Sequence, residues 1–266
     1  MASREQAKQE RRDDIVNAAR KLVRRSGSSG FSMRTLAREA GVSIATPYNL
    51  LGSKQAVMDA ILTSELRSFE NSVLEIDADP LEVFFAAIDL ASDNLESHPA
   101  YFRAIFLADR GNGGRLFRST LHGLWTHLVI QAKNAGNLLE DVDPQALANN
   151  LGNTFLSGVL QWAVDERSVD ELASRIQYGV ALSLKAMAAP DSAVTLQNKA
   201  LDVQSRLGST EVDTADGNGS AESKDVEPGT SERKPDRQPP AATSSRSASG
   251  EDIGSGAGTR HPSKRK

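Results

Sequence analysis

The chain has 266 residues, 39% of them hydrophobic, enough for a core in roughly one or two domains without covalent staples. Cysteine is absent, which excludes disulfides, thiolate metal sites and cysteine nucleophiles together. The formal net charge of −4 is unevenly divided: residues 1–54 hold 11 Lys/Arg against 5 Asp/Glu (+6), residues 55–189 hold 9 against 18 (−9), and residues 190–266 hold 11 against 12 (−1). A basic N-terminal fifth on an acidic body suits a molecule with one phosphate-seeking end. No run of about 18 apolar residues is present and the first residues are polar, so the expectation is a soluble cytoplasmic protein without a membrane partner.

Helical periodicity runs through residues 1–189 with no sustained alternation of period two, which makes the class all-α. The first helix carries Ile15, Ala18, Ala19, Leu22 and Val23 on one stripe, with Arg11, Arg12, Arg20, Lys21, Arg24 and Arg25 on its other faces. The residues before it, over 1–10, read as a basic arm that with Arg4, Lys8, Arg11 and Arg12 is able to lie along a polyanion or simply fray. After a stop at 26–30 come a short helix over 32–40, a break at Gly41, a second short helix over 43–51 and a long one from Ser53. Pro80 is expected to open a helix that runs to Ser97, and His98-Pro99 marks a boundary because the residue before proline avoids the α region. Helix resumes over 101–108, pauses in the loop 111–114, and continues over 115–135 to a stop at Gly136-Asn137. Pro144 begins a helix with Leu147, Leu151, Phe155, Val159 and Trp162 on one side, and a last helix over 169–187 groups Ile176, Val180, Ser183 and Met187. From Pro190 the composition turns to Gly, Ser, Pro and charge, so 190–266 is expected to be a disordered tail, with 194–207 able to prolong a helix. Its basic tip over 260–266 reads as a non-specific DNA contact or as a solubilising end.

The informative segment is 31–51. Two short helices that cross steeply need a turn residue tolerant of positive φ and a small residue where the axes approach, and Gly41 and Ala37 occupy those positions. Leu36, Ala40, Val42, Pro47 and Leu50 or Leu51 form the expected seam, leaving Ile44, Ala45, Thr46, Tyr48 and Asn49 outward. Ser43 is expected to cap the second helix and Ser32 the first.

From about Arg11 to Lys54 the residues resemble the TetR-type repressors: Ile15, Ala18 and Ala19 in the first helix, Leu36-Ala37-Arg38-Glu39-Ala40-Gly41-Val42-Ser43 across the turn, and Thr46-Pro47-Tyr48-Asn49-Leu50 in the second short helix. Leu51 departs from the pattern, where the family usually carries an aromatic ring. The resemblance implies a helix-turn-helix DNA-binding domain over 11–55 and a helical effector-binding and dimerisation domain over 56–189. It puts a phosphate-binding phenol on Tyr48 and a phosphate-binding ammonium on Lys54, and sets Arg34 where some relatives read guanine. Ser32 and Ser43 become phosphate donors, Thr46 and Asn49 reach base edges or backbone, and Ile44 and Ala45 offer methyl surface to thymine. Double-stranded operator DNA is the implied partner.

The body offers no nucleophile–base pair, no metal site and no cofactor fingerprint. Its His98, His122 and His127 form no i, i+4 pair, and Gly52-Ser53-Lys54 lacks the rest of a phosphate loop. An enzyme is therefore not expected. By the resemblance, a small apolar or amphipathic effector binds among the middle helices, with Phe102, Phe106, Trp125 and Phe155 lining the pocket and His122 and Asn153 as polar anchors. Two chains pair through the helices near 144–187, where Gly152, Ser157, Gly158, Gly179, Ser183 and Ala186 leave room for a partner helix. The resulting expectation is a repressor released from its operator by the effector; the alternative is a DNA-bound scaffold or co-regulator without one.

Overall fold

The computed structural model describes residues 3–109, 114–165 and 168–216; the expected loop at 111–113 and the tail from 217, with its basic tip, lie outside the described residues. Among the described residues the fold is all-α, with ten helices and one isolated antiparallel bridge between Leu138 and Ala188. The first helix, α1 (Arg4–Ser26), opens with a reciprocal cap, Gln6 N donating to Ser3 Oγ at 3.3 Å and Ser3 N donating to Gln6 Oε1 at 2.6 Å. This cap corrects the expected arm: residues 4–10 are the first turns of α1, with exposed side chains. The helix buries Ile15, Val16, Ala18, Ala19, Leu22 and Val23 and packs on α2 (Met33–Glu39), α3 (Ala45–Leu51) and α4 (Lys54–Leu74).

The turn from α2 to α3 is closed by Val42 N donating to Ala37 O at 3.0 Å, with Gly41 at φ 66° supplying the left-handed residue that this closure requires. Ser32 caps α2, its Oγ accepting from Thr35 N at 3.0 Å. Ser43 does not cap α3. The N-cap is Ile44, without a side-chain bond, because the Ser43 hydroxyl is engaged with Thr46 Oγ1 at 2.9 Å.

The remainder of the body comprises α5 (Glu82–Ser97), α6 (Pro99–Asp109), α7 (Arg115–Asn134), α8 (Pro144–Asp165), α9 (Val169–Ala186) and α10 (Pro190–Asp216). Pro80 lies in the turn ahead of α5, where Asp79 Oδ1 accepts from Leu81 N at 2.9 Å, so the helix starts two residues later than expected. Pro99 is the first residue of α6, where its missing N–H is no loss. The helix α4 packs on α1, α5, α6 and α7, while α8 lies against α6, α7 and α9. The expected disordered tail is corrected for its first part, where the helix allowed over 194–207 extends across 190–216: α10 packs along α9 and buries Leu196, Ala200 and Val203, spaced i, i+4, i+7. Lys199 fastens it to α5, its Nζ 3.2 Å from Glu82 Oε2 and 4.5 Å from the Phe85 ring centroid.

The small residues of α8 and α9 are largely spent inside the chain. A Cβ at Gly158 would land on the Ile176 side chain, one at Gly152 would sit 3.0 Å from the Trp125 ring, and one at Gly179 would sit 2.8 Å from Thr154. Ser157 and Ala186 remain exposed. Gly123, on the solvent side of α7, has nothing within 4 Å of an added Cβ. The same substitution therefore takes opposite signs. Gly123→Ala should stabilise by about 1 kcal/mol through helix propensity, whereas Gly158→Ala should destabilise by about 1–3 kcal/mol through overpacking. Urea unfolding midpoints measure both, and shifts of equal sign would contradict the packing described.

Candidate nucleic-acid interface

Helix α3 is clamped on one side and bare on the other. Pro47 and Leu51 are buried, Val42 and Leu50 half-buried, and the aliphatic Leu51 fills its place in the seam without a ring. On the bare side Ile44 is 48% exposed, Tyr48 is 50% exposed, and Ala45 and Asn49 are exposed, while Thr46 is half-buried. Ile44 at the N-cap and Tyr48 on the helix thus leave two large side chains in water on this side. Lys54, the first residue of α4, holds its Nζ 5.2 Å from the Phe31 ring centroid, and Ser53 caps the same terminus by accepting from Ala56 N at 3.1 Å. Arg34 is exposed on α2, and Ser32 is exposed with its hydroxyl 2.9 Å from Thr35 Oγ1.

Thr35, outside the expected set, and Arg12, expected only as part of the basic arm, lie close to these elements. Thr35 pairs with Ser32 as Thr46 pairs with Ser43, and the Ser-x-x-Thr spacing at both sites was the signal available. Arg12 reaches the end of α3, its Nη1 3.4 Å from Leu50 O. Arg25 Nη2 is 2.8 Å from Glu39 Oε2, tying the far end of α1 to α2.

The body contains a cavity of about 320 Å³. Its apolar wall is a chain of aromatic contacts, Phe69–Phe155 at 5.9 Å, Phe155–Phe117 at 5.9 Å, Phe117–Phe106 at 5.8 Å and Phe106–Phe102 at 6.1 Å between centroids. Its polar wall includes Arg24, Glu65, Ser68, Asn94 and His98. Of the six residues expected in a pocket, Phe102, Phe106 and Phe155 line this cavity. His122, Trp125 and Asn153 line a separate recess of about 30 Å³, although the Trp125 ring lies 5.3 Å from Phe155. His122 is engaged with Gln145 Oε1 at 2.9 Å, and the buried Trp125 Nε1 has no hydrogen-bond partner among the described residues.

At the cavity edge a polar cluster joins α1, α4 and α6. Glu65 Oε1 accepts from Arg20 Nε at 2.8 Å and from the Tyr101 hydroxyl at 2.7 Å, while Arg20 also donates to Ser64 and Asn17. The Arg24 guanidinium carbon lies over the Tyr101 ring, 4.9 Å from its centroid. Burial, reinforced by the Glu65 carboxylate, holds the Tyr101 hydroxyl well above the ordinary tyrosine range. Among the described residues, no group of three His, Asp or Glu is placed to hold a metal, and no helix is long and apolar enough to cross a membrane.

Residues 15–61 match the family model described as bacterial regulatory proteins, tetR family. The chain is similar to the HTH-type transcriptional repressor KstR of Rhodococcus jostii (strain RHA1), 24% identical over 183 residues that cover 67% of this chain and 84% of that one. Among solved structures, RolR in complex with its ligand resorcinol superposes with a TM-score of 0.56 at 15% identity, covering 74% of this chain and 96% of RolR. Thermus thermophilus FadR, a TetR-family repressor in complex with lauroyl-CoA, superposes with a TM-score of 0.56 at 20% identity, covering 67% of this chain and 95% of FadR.

The Tyr101–Glu65 bond has a pH signature. A phenol whose folded pKa is raised stabilises the fold below its unfolded pKa of about 10, and that contribution drains away as pH rises beyond it. Tyr101→Phe should be less stable than the parent by about 1–2 kcal/mol near pH 8, with the gap closing above about pH 10. Urea titrations across pH 7–11 read this directly; a gap constant across the range would contradict it.

Proposed function

We propose that this chain, a member of the TetR family of DNA-binding transcriptional regulators, is a repressor that grips a two-fold operator as a homodimer and is released by a small amphipathic effector. In this reading α3 enters the major groove. The Tyr48 phenol, the Lys54 ammonium and the Ser32 and Ser43 hydroxyls hold phosphates, and Arg34, Thr46 and Asn49 meet base edges or backbone while Ile44 and Ala45 offer methyl contacts. The observation that carries the reading is the pairing on α4 of Lys54, beside the bare face of α3, with Glu65, Ser68 and Phe69, which line the cavity of about 320 Å³. A DNA-bound scaffold without effector calls for a filled body, so the cavity favours the effector reading. A dimer through α8 and α9 would use Asn150, Ser157, Gln161, Leu182 and Ala186, which are exposed, and would set the recognition helices about 34–36 Å apart or a multiple of that. Such a regulator works in the cytoplasm, beside the chromosome.

Effector and operator would be coupled reciprocally, each weakening the other by the same factor. The test is to isolate the genomic fragments that the protein retains and titrate them by fluorescence anisotropy. Lys54→Ala should weaken binding to every duplex and lower the salt slope by about 0.9 per protomer. Tyr48→Phe should cost about fivefold per protomer, and Arg34→Ala should relax preference at one base per half-site. Unchanged titrations for all three variants would remove α3 from the groove, and a ligand whose affinity ignores saturating operator would end the release model.

A further inference from the structure

We propose that the effector is an amphipathic acid, with an apolar ring-bearing body against the phenylalanines of the cavity and an anionic head paired with Arg24. The inference rests on the effector reading above and adds a charge to it. Arg20 and Arg24 lie one turn apart on α1, but their circumstances differ. Arg20 is consumed by Glu65, Ser64 and Asn17, whereas Arg24 forms no ion pair among the described residues and makes a single ring contact, over Tyr101. The contact places the guanidinium carbon 4.9 Å from the ring centroid, and its N–H groups make no hydrogen bond among the described residues, which leaves them as the fork that a carboxylate or sulfonate accepts.

Glu65 does not cancel this attraction, because its Oε1 already receives both Arg20 and the Tyr101 hydroxyl. Of Arg24 and Glu65, the Arg and Glu side chains that line the cavity, the carboxylate is already ion-paired with Arg20 at 2.8 Å from outside the lining, so the charge left for a ligand is the Arg24 guanidinium. Ser68 and Asn94 on the same wall can complete the hydration of an anionic head. The opposite wall, Phe106, Phe117 and Phe155, offers ring faces and edges with nothing to pair a charge. Because Arg24 belongs to α1, which also packs on α2 and α3, the head group would pull on the DNA-binding domain itself.

Two fluorescent dyes with the same ring system separate charge from shape: anilinonaphthalene sulfonate, an anion, and phenylnaphthylamine, its neutral counterpart. Titrated into the full-length protein, the sulfonate should bind about tenfold tighter, the order expected for one charge-assisted pair. Arg24→Gln should erase that preference while leaving phenylnaphthylamine affinity within about twofold, and Arg24→Lys should restore part of it. Ala91→Trp, which fills the cavity from α5, should abolish the binding of both dyes. Equal affinities in the parent, a preference that survives Arg24→Gln, or dye binding indifferent to Ala91→Trp would each overturn the proposal. Operator titrations on the same samples keep the two readings apart: dyes that release DNA without a charge preference sink the acid and leave the effector standing, while dyes that bind and never release DNA sink the effector.

Discussion

One helix, α4, links the bare face of α3 to the cavity of the body. The 21 residues of α4 carry Lys54 at one end and Glu65, Ser68 and Phe69 farther along, which at about 1.5 Å per residue sit roughly 17–22 Å away. The Arg20–Glu65 bond ties α4 to α1 and the Tyr101–Glu65 bond ties it to α6, so one carboxylate oxygen holds three helices in register. An occupant of the cavity that shifts any of the three must renegotiate its contacts with the other two, and with them the position of α3, which rests on α1 and α4.

The module of α1 to α3 was legible in the sequence because its determinants are local. Gly41 meets the positive φ of a tight turn, Ser32 caps α2, and the outward set of α3 is fixed by which side faces the seam. Where local chemistry offered two outcomes the reading slipped. Ser43 has the composition of a cap, yet its hydroxyl prefers the neighbouring Thr46 hydroxyl, and the choice depends on a rotamer that no spacing encodes. The start of α1 was hidden for a similar reason: Ser3 and Gln6 form a reciprocal cap from residue types that are also ordinary in a frayed terminus. In α10 the three buried residues Leu196, Ala200 and Val203 are outnumbered by polar neighbours, so average composition masked a correct helical stripe.

The body was less legible because its features are tertiary. Phe155 and Trp125 touch, which made one pocket a natural expectation, but Phe155 turns one side to the larger cavity while Trp125 faces the smaller recess under Gly152. Arg24 passed as one more solvated charge on a basic helix, and only the arrival of Tyr101 from α6 sets it apart from Arg20. The glycines of α8 and α9 read equally well as room for a partner or room for a neighbour, and the side chains of Ile176, Thr154 and Trp125 take that room.

The position of Trp125 has an optical consequence. Its indole is buried, stacked on Phe84 at 6.5 Å between centroids and tilted against Phe155 at 5.3 Å, and Phe155 is part of the cavity wall. Any guest that displaces the Phe155 ring alters the packing of a fluorophore whose Nε1 has no hydrogen-bond partner among the described residues to fix its polarity. The molecule thus carries a native emission reporter one side chain away from the cavity, and a titration can be followed without a label.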